Sequence, residues 1–176
     1  GSDGLIDATK TAILNANYLK DSLKDYYKIY KTNENDRVGH EFIICLNEFN
    51  DINIKDVDIA KRLIDYSFHP PTMSWPILNS LMIEPTESES KYELDRFISA
   101  IINIRKEIDE IRDNKYSINN NVLKNSPHSL NKLKNWNHSY SIEKGCFPID
   151  YLNDKKFWPQ VGRVNDVFGD KNLIVK

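Results

Sequence analysis

The sequence is poor in the features that would tie a chain to metals, membranes or nucleic acid. Its two cysteines, Cys45 and Cys146, lie far apart, and neither belongs to a CxxC or Cys/His cluster, so their spacing supports neither a metal centre nor a redox motif. Isolated cysteines of this kind suit a reducing compartment. No apolar run approaches the roughly 20 residues needed to span a bilayer, and the N-terminus lacks the basic-then-apolar order of a signal peptide. The expectation is a soluble protein. A formal net charge of −2, with 24 basic and 26 acidic residues interspersed, gives no electrostatic reason to expect nucleic acid or an anionic membrane as the main partner. Internal repeats are missing too, as are the Gly-x-Ser-x-Gly elbow of a serine hydrolase and the Gly-rich phosphate cradle with its preceding strand.

What is there is the composition of a globular domain, 40% hydrophobic and 28% charged over 176 residues. Folding at about this length buries roughly 70% of the unfolded surface, enough for one domain with a core. The opening GSDGLIDATK has no initiator methionine and enters a helical pattern almost at once, as a segment of a longer polypeptide would. Leu5, Ala8, Ala12, Ile13, Ala16, Leu19 and Leu23 recur at three- and four-residue spacing and predict a helix over 5–23. Tyr27, Ile29 and Tyr30 predict a short strand, EFIICL at 41–46 a second, and SLMIE at 80–84 a third. Val57, Ala60, Leu63 and Ile64 predict a helix over 55–66. The clearest stripe, Leu94, Phe97, Ile98, Ile101, Ile102, Ile108 and Ile111, predicts a helix that ends near Asp113. Two capping pairs compete for its start, Thr86 with Glu89 and Ser90 with Glu93.

These elements predict an α/β small domain, with a short, mainly antiparallel sheet of three or four strands covered by helices near 5–23, 55–66 and 90–113. The core is expected over 1–113. An extended tail over 114–176 is expected to clamp onto the same domain and onto a larger body, because Trp136, Tyr140, Phe147, Phe157 and Trp158 are too aromatic a set for a disordered segment.

One stretch resists reading as ordinary structure: HPPTMSWP, His69 to Pro76, with three prolines in eight residues. Proline fixes φ and donates no backbone hydrogen bond, so the segment excludes a regular helix and makes a poor central strand. It reads as a rigid loop holding His69, Thr72, Ser74 and Trp75, the mixture of apolar wall and placed polar groups found in small-molecule sites. Packing at a domain interface is the plainer role for the same loop. The other histidines carry less. His40, in VGHEF at a strand entrance, serves either as a structural hydrogen-bonding group or as a site residue, and His128, in SPHS, reads as structural. No two histidines share metal-ligand spacing. Glu84, Glu87 and Glu89 are accounted for by strand-end and helix-cap roles. Arg163, in the turn-rich VGRVNDVFGD, is a candidate partner for an anion or carboxylate, with a surface salt bridge as the ordinary alternative.

The words LIDATKTAILNANYL, RVGHEFII, DVDIAKRLIDYSFHPPTMSWP, LMIEPTESESKYELDRF, NNVLKNSPHS and KFWPQVGRVNDVFGD, in this order, closely resemble the C-terminal portion of the glycine cleavage system P-proteins. The likeness covers nearly the whole chain. Departures from the family's usual pattern fall at Ser67, where glycine is usual, at Pro70, where alanine is usual, at Leu78, Asn79 and Ser80, and at Asn137, His138 and Ser139.

This resemblance implies the small C-terminal domain of a fold type I, aspartate-aminotransferase-like enzyme that uses pyridoxal phosphate. Such an enzyme decarboxylates glycine and passes the aminomethyl group to the lipoyl arm of H-protein. The implied partners are therefore the remainder of the P-protein, as large domain or sister subunit, lipoylated H-protein and glycine, with bacterial cytoplasm or mitochondrial matrix as the implied location. The cofactor-binding lysine belongs to a His-Lys word that this chain does not contain, and Lys10, Lys61 and Lys91 fall on predicted polar helix faces. The chain alone is expected to be inactive. His69, Thr72 and Ser74, with His40 and Arg163, are the residues expected to line the substrate channel, and no metal is expected. Two other readings stay open: a non-catalytic docking or dimer-stabilising module, and the small domain of another fold type I enzyme.

Overall fold

The computed structural model describes residues 1–173. Helix α1 spans Ser2–Leu23, and two short elements follow it, strand β1 (Lys28–Ile29) and strand β2 (Phe42–Cys45). A 3-10 segment then leads into α2 (Asp56–Asp65), and after the proline loop come β3 (Thr72–Met73), β4 (Ser80–Ile83) and α3 (Lys91–Arg112). All strand pairs are antiparallel, in the order β1-β2-β4-β3. The expected small α/β domain is thus what the chain builds. The proline loop contributes β3, at the sheet edge, which is where strands flanked by proline are tolerated.

Strand pairing decides which side chains meet. Phe42 faces Ile83 and Ile44 faces Leu81, which puts four apolar residues on one side of the sheet, all buried. They join Leu19 and Leu23 of α1, Ile59 and Leu63 of α2, and Leu94, Ile101, Ile104 and Ile108 of α3 in one core. Helix α3 starts at the second of the two possible caps: Ser90 accepts a hydrogen bond from the Glu93 amide at 3.2 Å, while Thr86 instead meets the Ser88 hydroxyl.

Beyond Asp113 the backbone is irregular, with short helices α4 (Val122–Asn125), α5 (Ile142–Cys146), α6 (Leu152–Lys155) and α7 (Asp166–Lys171). Irregular does not mean loose here. Val122, Leu123, Tyr140, Cys146 and Leu152 are buried, and the Trp136 ring lies so close to Gly145 that a Cβ there would stand 2.4 Å from it. Helix α4 rests against α2, and further along the tail Arg163 and Lys156 bond back to it.

Candidate functional site

Where the proline loop crosses in front of α3 it leaves an open groove of about 500 Å³, within the size range of ligand sites. Ser67, Phe68, His69, the two prolines and Thr72 form one wall, Met82 and Glu84 the floor, and Glu89, Glu93, Arg96 and Phe97 the opposite wall. His69 and Thr72 are exposed. The apolar part of the groove is a Phe68–Phe97 pair set edge to face at 5.3 Å. Arg96 is held rigid: its guanidinium lies 4.2 Å over the Phe68 ring and 4.9 Å from the Tyr151 ring, and it donates to Glu93 Oε2 at 2.6 Å. With Arg96 neutralised by Glu93, the remaining carboxylates of Glu84 and Glu89 give the groove acidic character.

The other expected residues lie elsewhere. Ser74 does not line the groove; its hydroxyl hydrogen-bonds to Asp56 and accepts the Asn79 amide at 3.0 Å, tethering the β3–β4 turn to the start of α2. That tether holds Ser74 at a φ of 51°. His40 stands exposed beyond the sheet end, its Nε2 3.9 Å from Glu84 Oε1, so it approaches the groove only through that carboxylate. Arg163 is remote: it donates to buried Asp58 at 2.6 Å and to the carbonyls of Leu123 and Lys124, pinning the tail to α2 and α4. Sequence reasoning passed over Arg96 and Phe97 because both sit in the periodic pattern of α3, one on the polar side and one on the apolar stripe. Only the arrival of Phe68 across the groove gives them a shared role.

A family model described as "Glycine dehydrogenase, C-terminal domain" matches residues 8–128. The chain belongs to that family. Among curated proteins, the "Glycine dehydrogenase (decarboxylating)" of Christiangramia forsetii is 53% identical over 99% of this chain and 18% of its own length. The mitochondrial enzymes of the same name from Pisum sativum and Dictyostelium discoideum are 54% and 55% identical, again over 99% of this chain, covering 17% and 18% of theirs. The chain therefore spans less than a fifth of the length of these relatives.

The chain also carries a second polar assembly, quite unlike the groove. Arg62 of α2 is fully buried, and all five of its N–H donors are used. Two go to Glu107 at 2.9 and 2.6 Å, one to Asp65 at 3.0 Å, and two to the carbonyls of Gly145 and Lys144. Asp65 in turn accepts the His128 amide at 2.7 Å and meets His128 Nδ1 at 2.8 Å, while His128 Nε2 meets the Tyr140 hydroxyl at 2.8 Å. Burial alone would raise the Asp65 pKa, but the bonds from His128 and the charge of Arg62 outweigh it and hold the carboxyl below its ordinary range. An ionised Asp65 only accepts, so His128 donates to it through Nδ1, leaving Nε2 to pair with the Tyr140 hydroxyl. The structural reading of His128 holds.

Lys156 closes this assembly. Its Nζ donates to the Asp65 carbonyl at 2.8 Å and lies 4.9 Å from the Trp158 ring, and burial lowers its pKa. Among the described residues no lysine lines the groove.

Proposed function

We propose that this chain is the C-terminal domain of a pyridoxal-phosphate-dependent glycine decarboxylase, one that decarboxylates glycine and hands the aminomethyl group to a lipoyl arm. The observation that carries the reading is identity above 50% along 99% of the chain to several proteins named glycine dehydrogenase (decarboxylating). The residues of this chain do not fit the cofactor on their own. Among the described residues lining the groove there is no lysine for a Schiff base, and Arg96 is already paired with Glu93. When bound, the cofactor would supply the electron sink for decarboxylation, and the part of the enzyme outside this chain would hold it. What this chain contributes is a preorganised wall: prolines fix the backbone, so His69 and Thr72 are presented at little entropic cost to whatever enters from the larger body. Bacterial cytoplasm or mitochondrial matrix is the matching location, two of the relatives being named mitochondrial. No described helix is long and apolar enough to cross a membrane.

The test uses the complete parent enzyme carrying His69→Ala or Thr72→Ala in this segment, assayed by exchange of bicarbonate with the glycine carboxyl. A loss of about tenfold or more with assembly intact on a sizing column is the expected result, in line with what misplacement of a substrate costs. Unchanged exchange with lost association would instead make this segment a docking or dimer-stabilising module. Its exposed apolar residues Leu5, Leu14, Trp75 and Leu78 keep that second reading in view.

A further inference from the structure

Away from the Arg62 assembly, one other set of potential ligands is brought together by the fold rather than by the sequence. In the β2–β4 ladder Phe42 stands opposite Ile83, so the next positions in register bring Glu41 opposite Glu84. Like charges directly opposed destabilise a sheet. Among the described residues no lysine or arginine nitrogen lies within 4.0 Å of either carboxylate, and the nearest basic group is His40 Nε2 at 3.9 Å from Glu84. One ligand atom from each of His40, Glu41 and Glu84 lies within 4.8 Å of the other two.

We propose that His40, Glu41 and Glu84 form a binding site for a divalent transition-metal ion of the Zn²⁺ type. One imidazole nitrogen with two carboxylate oxygens is a donor set that such ions accept, whereas Mg²⁺ and Ca²⁺ favour oxygen ligands alone. Ion–ligand distances of about 2.0–2.2 Å put neighbouring ligand atoms of a tetrahedral ion ~3.4 Å apart, so the three groups need to draw together only modestly. The side chains that must move are free to do so, His40 and Glu84 being 61% and 54% exposed. Half-buried Glu41 anchors the set on the sheet. The ion would convert an uncompensated carboxylate pair into an attractive one, and three protein ligands leave a coordination position open to water or an incoming group. This site stands whether or not the catalytic reading above is right.

Calorimetric titration of the metal-free 176-residue chain with Zn²⁺ tests it. One ion should bind per chain, and His40→Ala and Glu84→Gln should each weaken binding by at least about tenfold, the loss already typical of removing an outer-shell partner. His69→Ala, which alters the other exposed histidine, should leave the affinity unchanged. Urea midpoints without metal keep the variants interpretable. Glu84→Gln should be no less stable than the parent, since it removes one of two opposed charges, and Zn²⁺ should raise the midpoint of the parent but not of the variant. No stoichiometric binding, binding equally tight in both variants, or binding lost with His69→Ala would each overturn the site.

Discussion

Two histidines, His128 and His69, mark the two polar regions of this domain and show what each is for. Every hydrogen-bonding atom of the His128 ring has a protein partner in a space closed to water, and beside it the Arg62 guanidinium serves the two buried carboxylates of Asp65 and Glu107. His69 stands exposed on a proline-fixed wall with its ring in an open groove. A buried polar assembly is worth most when complete and is costly when one member is lost. An exposed group can be removed at little cost to the fold, so its place in a rigid groove is better explained by what it meets there. The difference separates residues that hold the tail to α2 from residues that face a partner.

That contrast is broken most severely at Arg62. Arg62→Ala leaves Glu107 and Asp65 buried without their cation, a change that typically costs about 3–5 kcal/mol. Urea unfolding should show it, whereas His69→Ala should fall within about 0.5 kcal/mol of the parent. If the two substitutions cost the same, the division between hub and groove fails. Asp65 sharpens the comparison through pH. Because its folded-state pKa is depressed, the folded chain binds fewer protons there than the unfolded chain. Its contribution is therefore complete above the ordinary carboxylate value of about 3.9 and is lost as pH falls below it. Asp65→Asn should cost about 1–3 kcal/mol at neutral pH, the penalty for spoiling a buried charged hydrogen bond. The gap between variant and parent should close as urea midpoints are followed from pH 7 towards pH 3, and a gap that widens would reverse the argument.

Much of the fold was legible because it rests on local signals. The apolar stripes of α1, α2 and α3 announced their helices, whereas the prolines around Thr72 excluded a helix or central strand but left the short edge strand β3 to be read as loop. The hub was not legible, and the reason is physical. Arg62 occupies what looks like a polar helix position, and only the return of the chain far downstream, at His128 and again at Gly145, closes it off from water. For the groove, the loop could be read but its partners could not. Ser74 looked like part of the wall because it sits between Thr72 and Trp75; its left-handed backbone turns the hydroxyl towards Asp56 instead. Glu84 was assigned to the strand end, and its closeness to His40 and Glu41 depends on strand register.

The smallest expected effect is the most discriminating about backbone. Helix α2 ends with Ser67 at a φ of 62°, its amide bonded to the Ile64 carbonyl and the Phe68 amide to that of Leu63, both at 3.0 Å. This is the Schellman arrangement, in which glycine is favoured at the left-handed position. A serine there carries roughly 1–2 kcal/mol of steric cost that glycine avoids. Its hydroxyl offsets part of this by accepting the Phe157 amide at 2.8 Å, a bond worth about 0.5–1.5 kcal/mol that holds the tail across the end of α2. Ser67→Gly should therefore lie within about 1 kcal/mol of the parent in urea unfolding, strain relief and bond loss nearly cancelling. Ser67→Ala keeps the strain and loses the bond, and should be less stable than the glycine variant by about 1 kcal/mol. Amide exchange at Phe157 should quicken in both. Equal stability for the two variants would show that the left-handed turn carries no strain, and unchanged exchange at Phe157 would show that the serine hydroxyl does not hold the tail.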